Sequence, residues 1–373
     1  MAQTWNGQLN KNILLGTLFN LIIKIFTNSK NVSNTFSQLL DTHREESGLY
    51  GDSIIRIETY PLEVHTWNNY EEAGNLLDVD PPIDPKAEKV VLNQFKQLRL
   101  TLNDNIYKMV FDGPASFSQF YSVCQQWMED TKRIYDSQTF NAYVGTVETT
   151  VGKQSVTLTL PNPESETGGA NQEAAMRLRT TQIAQNLADL LIDIQDFGTE
   201  YNDYAIPRSY DPDDIQIVWN ASWYNELLKA GLPEFFKDNS GLIDKFGQYV
   251  LPSRYFGKVN ANGGTTGASN TTIRSLNEQD YTDASAVVHH VRAGDLLPAN
   301  TTYEANETYT PDATIVYKII HKEDIPYVSG MDVSSSFWNA RALLTNFYST
   351  FLRNTLAHYS GLPLITVRAT NEA

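Results

Sequence analysis

The chain has 373 residues, 41% of them hydrophobic, and its 44 acidic against 28 basic side chains give a formal net charge of −16. That length allows two or three domains with real cores. The acidic excess, with no Lys/Arg cluster of the kind that neutralises phosphates, argues against affinity-driven binding of nucleic acid, and the single Cys124 rules out a disulfide within one chain and fits a reducing compartment.

Ile13 to Phe26 is the one long apolar run near the N-terminus, but Asn20, Lys24 and its shortness argue against a membrane span. A basic leader with a small-residue cleavage site is also missing. Residues 1–47 therefore read as an arm with one amphipathic helix that needs a partner to cover it.

Two strand-like runs follow. Ile55, Ile57, Thr59, Leu62, Val64 and Thr66 alternate, with a phase slip at Tyr60-Pro61 that reads as a bulge or edge feature. Val90, Leu92, Leu98, Leu100 and Leu102 alternate again, opposite Gln97, Arg99, Thr101 and Asn103. Between them Asn68 to Glu88 carries Glu71, Glu72, Asp78, Asp80, Asp84 and Glu88 against Lys86 alone, and Pro81, Pro82 and Pro85 keep it from pairing. The whole reads as a hairpin with arms of roughly 40 Å at 3.3 Å per residue. An isolated two-stranded ribbon is marginal in water, so its outer part is expected to lie on another copy of the chain. An ordinary hairpin folded back on its own domain is the alternative.

Pro114 to Tyr143 keeps one helical period without interruption, through Phe117, Phe120, Tyr121, Cys124, Trp127, Met128, Ile134 and Tyr135. Ser116 and Gln119 form a capping-box pattern behind Pro114. This predicts a beam about 45 Å long at 1.5 Å per residue.

Next, Gly145 to Leu160 alternates about a Gly152-Lys153 turn, and Pro161 to Gly169 reads as a loop. A second helix is predicted from Asn171 to Phe197, with Met176, Ile183, Leu187, Leu190, Leu191 and Ile194 buried and Gly198 as its stop. A new unit opens at Tyr210 to Asp214. Ile215 to Trp219 reads as a buried strand, followed by a short helix through Tyr224, Leu227 and Leu228 that Gly231 ends. Asn260 to Thr272 reads as a surface loop, and strands are expected at Ser285 to Val291 and Thr314 to Ile320. From Ser334 to Tyr359 periodicity favours a helix, although the aromatic and β-branched content also permits strands. Pro363 to Val367 reads as a last strand.

Chemistry-bearing patterns are weak. His43, His65, His289, His290, His321 and His358 show no metal-ligand spacing. His289-His290 in a strand point to opposite faces. Asp211, Asp213 and Asp214 lack the later glycine and glutamate of a calcium loop. Cys124 lies on a bulky apolar stripe, and no phosphate loop or nucleophile elbow occurs. No cofactor, metal or catalytic set is expected.

The series of arm, acidic-tipped ribbon, long helix, mixed domain and inserted α+β domain resembles the major capsid proteins of tailed bacteriophages, the Hong Kong 97-like fold, most closely those of small short-tailed phages. The residues that carry the resemblance are the ribbon Ile54 to Leu102, the junction Phe111-Asp112-Gly113-Pro114 into Phe117 to Tyr121, the unit Asp214 to Asn220, and Asn354 to Tyr359 running into Pro363 to Val367. The resemblance implies an α+β fold with an N-arm at 1–47, an E-loop at 48–111, a P-domain with its spine helix at 112–203, an A-domain at 204–334 and a return to the P-domain at 335–373. It also implies extended strands in part of Ser334 to Tyr359, against the helical period. As function it implies a non-enzymatic coat subunit of the virion that assembles in the host cytoplasm. Its copies form the hexamers and pentamers of an icosahedral head around double-stranded DNA, which a negative shell encloses without gripping.

Scaffold, portal and decoration proteins are further candidate partners, and no membrane is involved. Inter-subunit contacts are expected at Leu98, Leu100 and Leu102 and at the acidic tip Glu71, Glu72 and Asp78, which would meet a basic patch on a neighbour. Lys86 and Lys89 read as solvated charges, not cross-linking groups. A tail tube, a nanocompartment shell, or an α+β enzyme with a long active-site arm are the rival readings.

Overall fold

The computed structural model describes residues 37–46, 53–62, 64, 81, 83–103, 114–229, 246–260, 274–275, 279–282, 287–291 and 308–371. In chain order the strands are β1 (Arg44–Glu46), β2 (Ser53–Glu58), β3 (Lys86–Asn103), β4 (Ser155–Leu160), β5 (Ile215–Asn220), β6 (Gly247–Leu251), β7 (Gly257–Asn260), β8 (Arg274–Ser275), β9 (Gln279–Thr282), β10 (Val288–Val291), β11 (Thr308–Pro311), β12 (Ile315–His321), β13 (Tyr327–Asn339), β14 (Leu344–Asn354) and β15 (Leu364–Asn371). Helices occupy Gln38–Thr42, Pro114–Thr146, Gly169–Asp193 and Ala221–Lys229. Two five-stranded sheets form, in the orders β1-β13-β14-β3-β2 and β4-β15-β12-β5-β6. The chain divides into two compact units: Met1–Ile54 with Lys89–Phe140 and Pro326–Leu356, and Ile55–Glu88 with Asn141–Ile325 and Ala357–Ala373.

The predicted long helix is present and extends three residues further, to Thr146, with its residues up to Phe140 in the first unit. The helix favoured by periodicity over 334–359 is not there. Its place is taken by β13 and β14, antiparallel to each other, with β14 also antiparallel to β3 from Asn354↔Leu92 to Leu344↔Asn103. Phe347, Ser349 and Phe351 are all buried, which is the period of a strand. The helical spacing of Phe337, Leu344, Phe347 and Phe351 was a coincidence of aromatic content. The two arms of the expected ribbon, β2 and β3, are neighbours, but the ribbon is not two-stranded, because β14 pairs along the other edge of β3 and the second arm lies inside a sheet. A long strand has backbone groups on both edges, and inside a sheet both edges are satisfied.

The long helix is fixed to this sheet by buried charge. Asp136 on the helix accepts from Arg353 of β14 at 3.1 Å (Nε) and 2.8 Å (Nη2), and from the Tyr327 hydroxyl of β13 at 2.6 Å. Both charged side chains are almost wholly buried, so the bidentate geometry is what offsets their desolvation. Tyr135 packs edge-on against Phe351 and Phe140 against Tyr327.

In the second unit β12, β5 and β15 form the centre of the sheet, and every residue of β5 and β12 is buried. That fits the reading of Ile215 to Trp219 as a buried strand, in which Gln216 is the one polar residue. The helix Gly169–Asp193 buries Ile183, Leu187, Leu190 and Leu191, while Met176 is half-exposed. It stops five residues before Gly198, which instead pairs with Arg208 in an isolated bridge. Helix also replaces the first part of the strand expected from Gly145, leaving only Ser155–Leu160, and Gly152 makes the turn at φ 61°. Lys318, fully buried in β12, donates to the carbonyls of Val144 (3.0 Å), Gly145 (2.9 Å) and Val147 (2.6 Å), where the long helix ends with unpaired acceptors. Burial pushes its pKa down to about 7. Gly145 admits no side chain here, since a Cβ would fall 2.0 Å from the Tyr255 carbonyl oxygen.

Replacing Arg353 with Met leaves the buried Asp136 with only the more distant, partly exposed Arg44, 3.7 Å away, as counter-charge. The expected loss of unfolding free energy is about 3–5 kcal/mol, read from the shift of the denaturant midpoint of the unassembled chain, and a shift below about 1 kcal/mol would remove this pair from the account of stability.

Candidate functional site

For a chain with no catalytic pattern, surface that the chain cannot bury by itself is where function is to be found. In β2, alternation sends Arg56 and Glu58 to one face and Ile55 and Ile57 to the other. Glu58 is buried, whereas Ile55 is 58% and Ile57 63% exposed. Beyond the strand Leu62 and Val64 are 75% and 98% exposed, and on the return Ile83 is 56% exposed. Five aliphatic side chains between Ile55 and Ile83 thus stand in solvent in the second unit.

Both ends of that stretch are pinned. At the first, Glu58 accepts from Arg56 Nε at 2.5 Å and from Arg208, whose other Nη donates to the Gly361 carbonyl at 3.2 Å. Arg56 also donates to Glu323 at 2.8 Å, and the Tyr60 hydroxyl donates to the Tyr204 carbonyl at 2.9 Å. At the second end, Glu88 Oε1 accepts from the Tyr204 hydroxyl at 2.6 Å and from the Ser360 amide at 2.9 Å. Two short segments, around Tyr204 to Arg208 and Ser360 to Gly361, therefore receive the chain as it leaves and as it comes back. Burial pushes the Glu58 carboxyl up, but the hydrogen bonds and charges of Arg208 and Arg56 outweigh it and leave it below the ordinary carboxylate range.

Of the site residues expected from sequence, Glu71, Glu72 and Asp78 lie outside the described residues, as does the arm before residue 37. Leu98, Leu100 and Leu102 lie on β3 opposite Ser349, Phe347 and Thr345. Leu102 is buried and Leu98 and Leu100 half-buried within their own unit, so the chain itself supplies much of their cover. The sequence alone does not bring Glu58 to Arg208 or His358 to Asp203 and Asp324, because these partners lie far apart in the chain. The one local signal was Arg56 and Glu58 alternating with Ile55 and Ile57, which marks an inward polar face. His289 and His290 sit in β10 opposite Tyr281 and Asp280. Cys124 lies in the long helix, with its side chain outside the described set. Among the described residues no group of three or more His, Cys, Asp or Glu is placed to hold a metal, and no helix is long and apolar enough to cross a membrane.

A model of the family described as Phi29-like phage major capsid protein matches residues 1–351. Among solved structures the chain is similar to one described as the capsid structure of Staphylococcus phage Andhra, with a TM-score of 0.60 and 11% identity over 90% of this chain and 84% of that one. It is also similar to a structure of the head fiber and inner core protein gp22 of native bacteriophage P68, with a TM-score of 0.52 and 12% identity over 88% of this chain and 83% of that one. No curated protein matches it. At such identities the likeness between structures is one of fold.

With its folded pKa depressed, Glu58 contributes stability that is complete above about pH 4.5, its ordinary value, and is lost as pH falls through the folded value. Glu58→Gln is expected to cost about 1.5–3 kcal/mol at neutral pH and to flatten the acid limb of the stability profile. Denaturant titrations at several pH values check both, and an unchanged acid limb would show that the clamp does not titrate.

Proposed function

The chain belongs to the Phi29-like phage major capsid proteins, coat proteins of Hong Kong 97-like fold, and on that premise we propose that its copies interlock through the uncovered aliphatic row Ile55, Ile57, Leu62, Val64 and Ile83. The observation that carries this reading is the exposure of all five side chains on a stretch whose two ends are fixed. Burying a side chain of this kind against a neighbour is worth about 1.5–3 kcal/mol. A row of five supplies enough, once the cost of association is met, for cooperative assembly.

On this reading the subunits form hexamers and pentamers of an icosahedral head around double-stranded DNA, assembled in the host cytoplasm. The role is structural, with no catalysis. A net charge of −16 supports enclosure without gripping. We assign the N-arm to 1–47, the E-loop to 48–111, the P-domain to 112–203, the A-domain to 204–334 and the returning P-domain to 335–373. The acidic residues Glu71, Glu72 and Asp78 are assigned to a basic patch on the adjoining copy, and the outer edges of Leu98 and Leu100 to the rim of the same contact. Scaffold, portal and decoration proteins are candidate further partners.

A substitution at Leu100 disturbs the subunit's own sheet as well as any contact, so Ile57 is the sharper test. Ile57→Asp is expected to leave a folded subunit with unchanged melting behaviour that forms no shells, as seen by sedimentation and electron microscopy. Normal particles from Ile57→Asp would overturn the assignment of the row.

A further inference from the structure

A histidine sits among the carboxylates that tie down the two ends of the stretch between Glu58 and Glu88. His358 Nδ1 lies 3.3 Å from Asp324 Oδ1, and its Nε2 lies 3.5 Å from Asp203 Oδ2. Asp324 is fully buried, and its Oδ1 also accepts from the Tyr359 amide at 3.0 Å. Asp203 Oδ1 accepts from the Thr149 hydroxyl and the Gln154 amide group at 2.8 Å each, and the Asp203 amide donates to the Ser360 carbonyl at 2.7 Å. One residue on, the Ser360 amide is the donor to Glu88. The remaining oxygens of Asp324 and Glu88 are buried and receive no hydrogen bond. Their charge has to be balanced through space, and the imidazolium of His358 is placed to do it.

We infer that His358 is a proton-operated latch. Charged, it joins the Asp203 turn and Asp324 to the 357–361 segment and so fixes the point to which Glu88 is tied. Neutral, it leaves Asp203, Asp324 and Glu88 without the charge that balances them, and the root of the stretch opens.

The groups around it support this assignment. Burial works against the charged imidazole, but Asp324, Asp203 and Glu88 outweigh it and hold the His358 pKa above its ordinary value. Burial also pushes Asp324 up. From the long helix comes Tyr143 and from the 201–204 turn Tyr204, phenols that burial pushes up to about 12, so neither changes charge in the range where histidine titrates. Arg56, 5.6 Å from the Tyr359 ring centroid, stays charged throughout. A raised folded pKa means that the hold is complete below about pH 6.5, the ordinary histidine value, and is lost as pH rises through the folded value. The latch is a property of the single subunit, and only its consequence for assembly rests on the reading given above.

Hydrogen exchange of the unassembled full-length chain, from about pH 5.5 to about pH 9 with each rate corrected for its intrinsic pH dependence, reads the Tyr359 and Ser360 amides directly. Their protection is expected to fall with rising pH, by about tenfold for each unit by which the folded pKa exceeds the ordinary one. His358→Gln is expected to be weakly protected at every pH. Should that variant fail to fold, Asp203→Asn keeps the Asp324 contact, and its midpoint is expected at lower pH than in the unaltered chain. Protection that does not change with pH in the unaltered chain, or an unshifted midpoint in Asp203→Asn, overturns the latch whether or not shells assemble.

Discussion

A β-strand presents two faces, and in β2 the subunit uses only one of them. Arg56 and Glu58 are consumed in fixing the strand to its own unit, and that same alternation forces Ile55 and Ile57 outward. The exposure is thus a geometric consequence of the clamp. Aliphatic side chains left in solvent are poorly matched to water, and on the proposed reading association between copies relieves the mismatch. On the reading proposed above, this surface supplies the driving force for shell formation.

Buried charge fixes elements within each unit. The Asp136–Arg353–Tyr327 cluster fixes the long helix to the sheet in one unit, and Lys318 closes the end of that helix in the other. Apolar contacts alone permit a helix to slide or rotate by a turn. A bidentate ion pair or an ammonium among three carbonyls has one geometry, and leaving it is costly. The His358 cluster uses the same chemistry with a histidine, at the root of the exposed stretch.

Much of this architecture is legible in the sequence where local pattern and final environment agree. The long helix keeps its apolar period without interruption, and β5 is mostly apolar because both of its faces are buried. The reading failed where the deciding partner is far away. The segment 334–354 carries aromatics at spacings that suit a helix, and its pairing as the hairpin β13–β14, whose second strand also pairs with β3 about 250 residues earlier, makes it extended. That distant strand also explains why the expected two-stranded finger is part of a sheet. The element series that resembles a capsid protein was a better guide at this point than periodicity, since a fold carries non-local pairing that a window of sequence does not. The clamp of Glu58 was invisible for the same reason: Arg208 lies 150 residues away.

The most direct test is side-chain footprinting by hydroxyl radicals of Ile55, Ile57, Leu62, Val64 and Ile83, in free subunits and in closed particles of the same chain. If subunits are joined by covering this row, all five lose most of their reactivity on assembly while exposed residues elsewhere keep theirs. Equal labelling of the row in both states would mean that the shell is held together by other surfaces and would contradict the account.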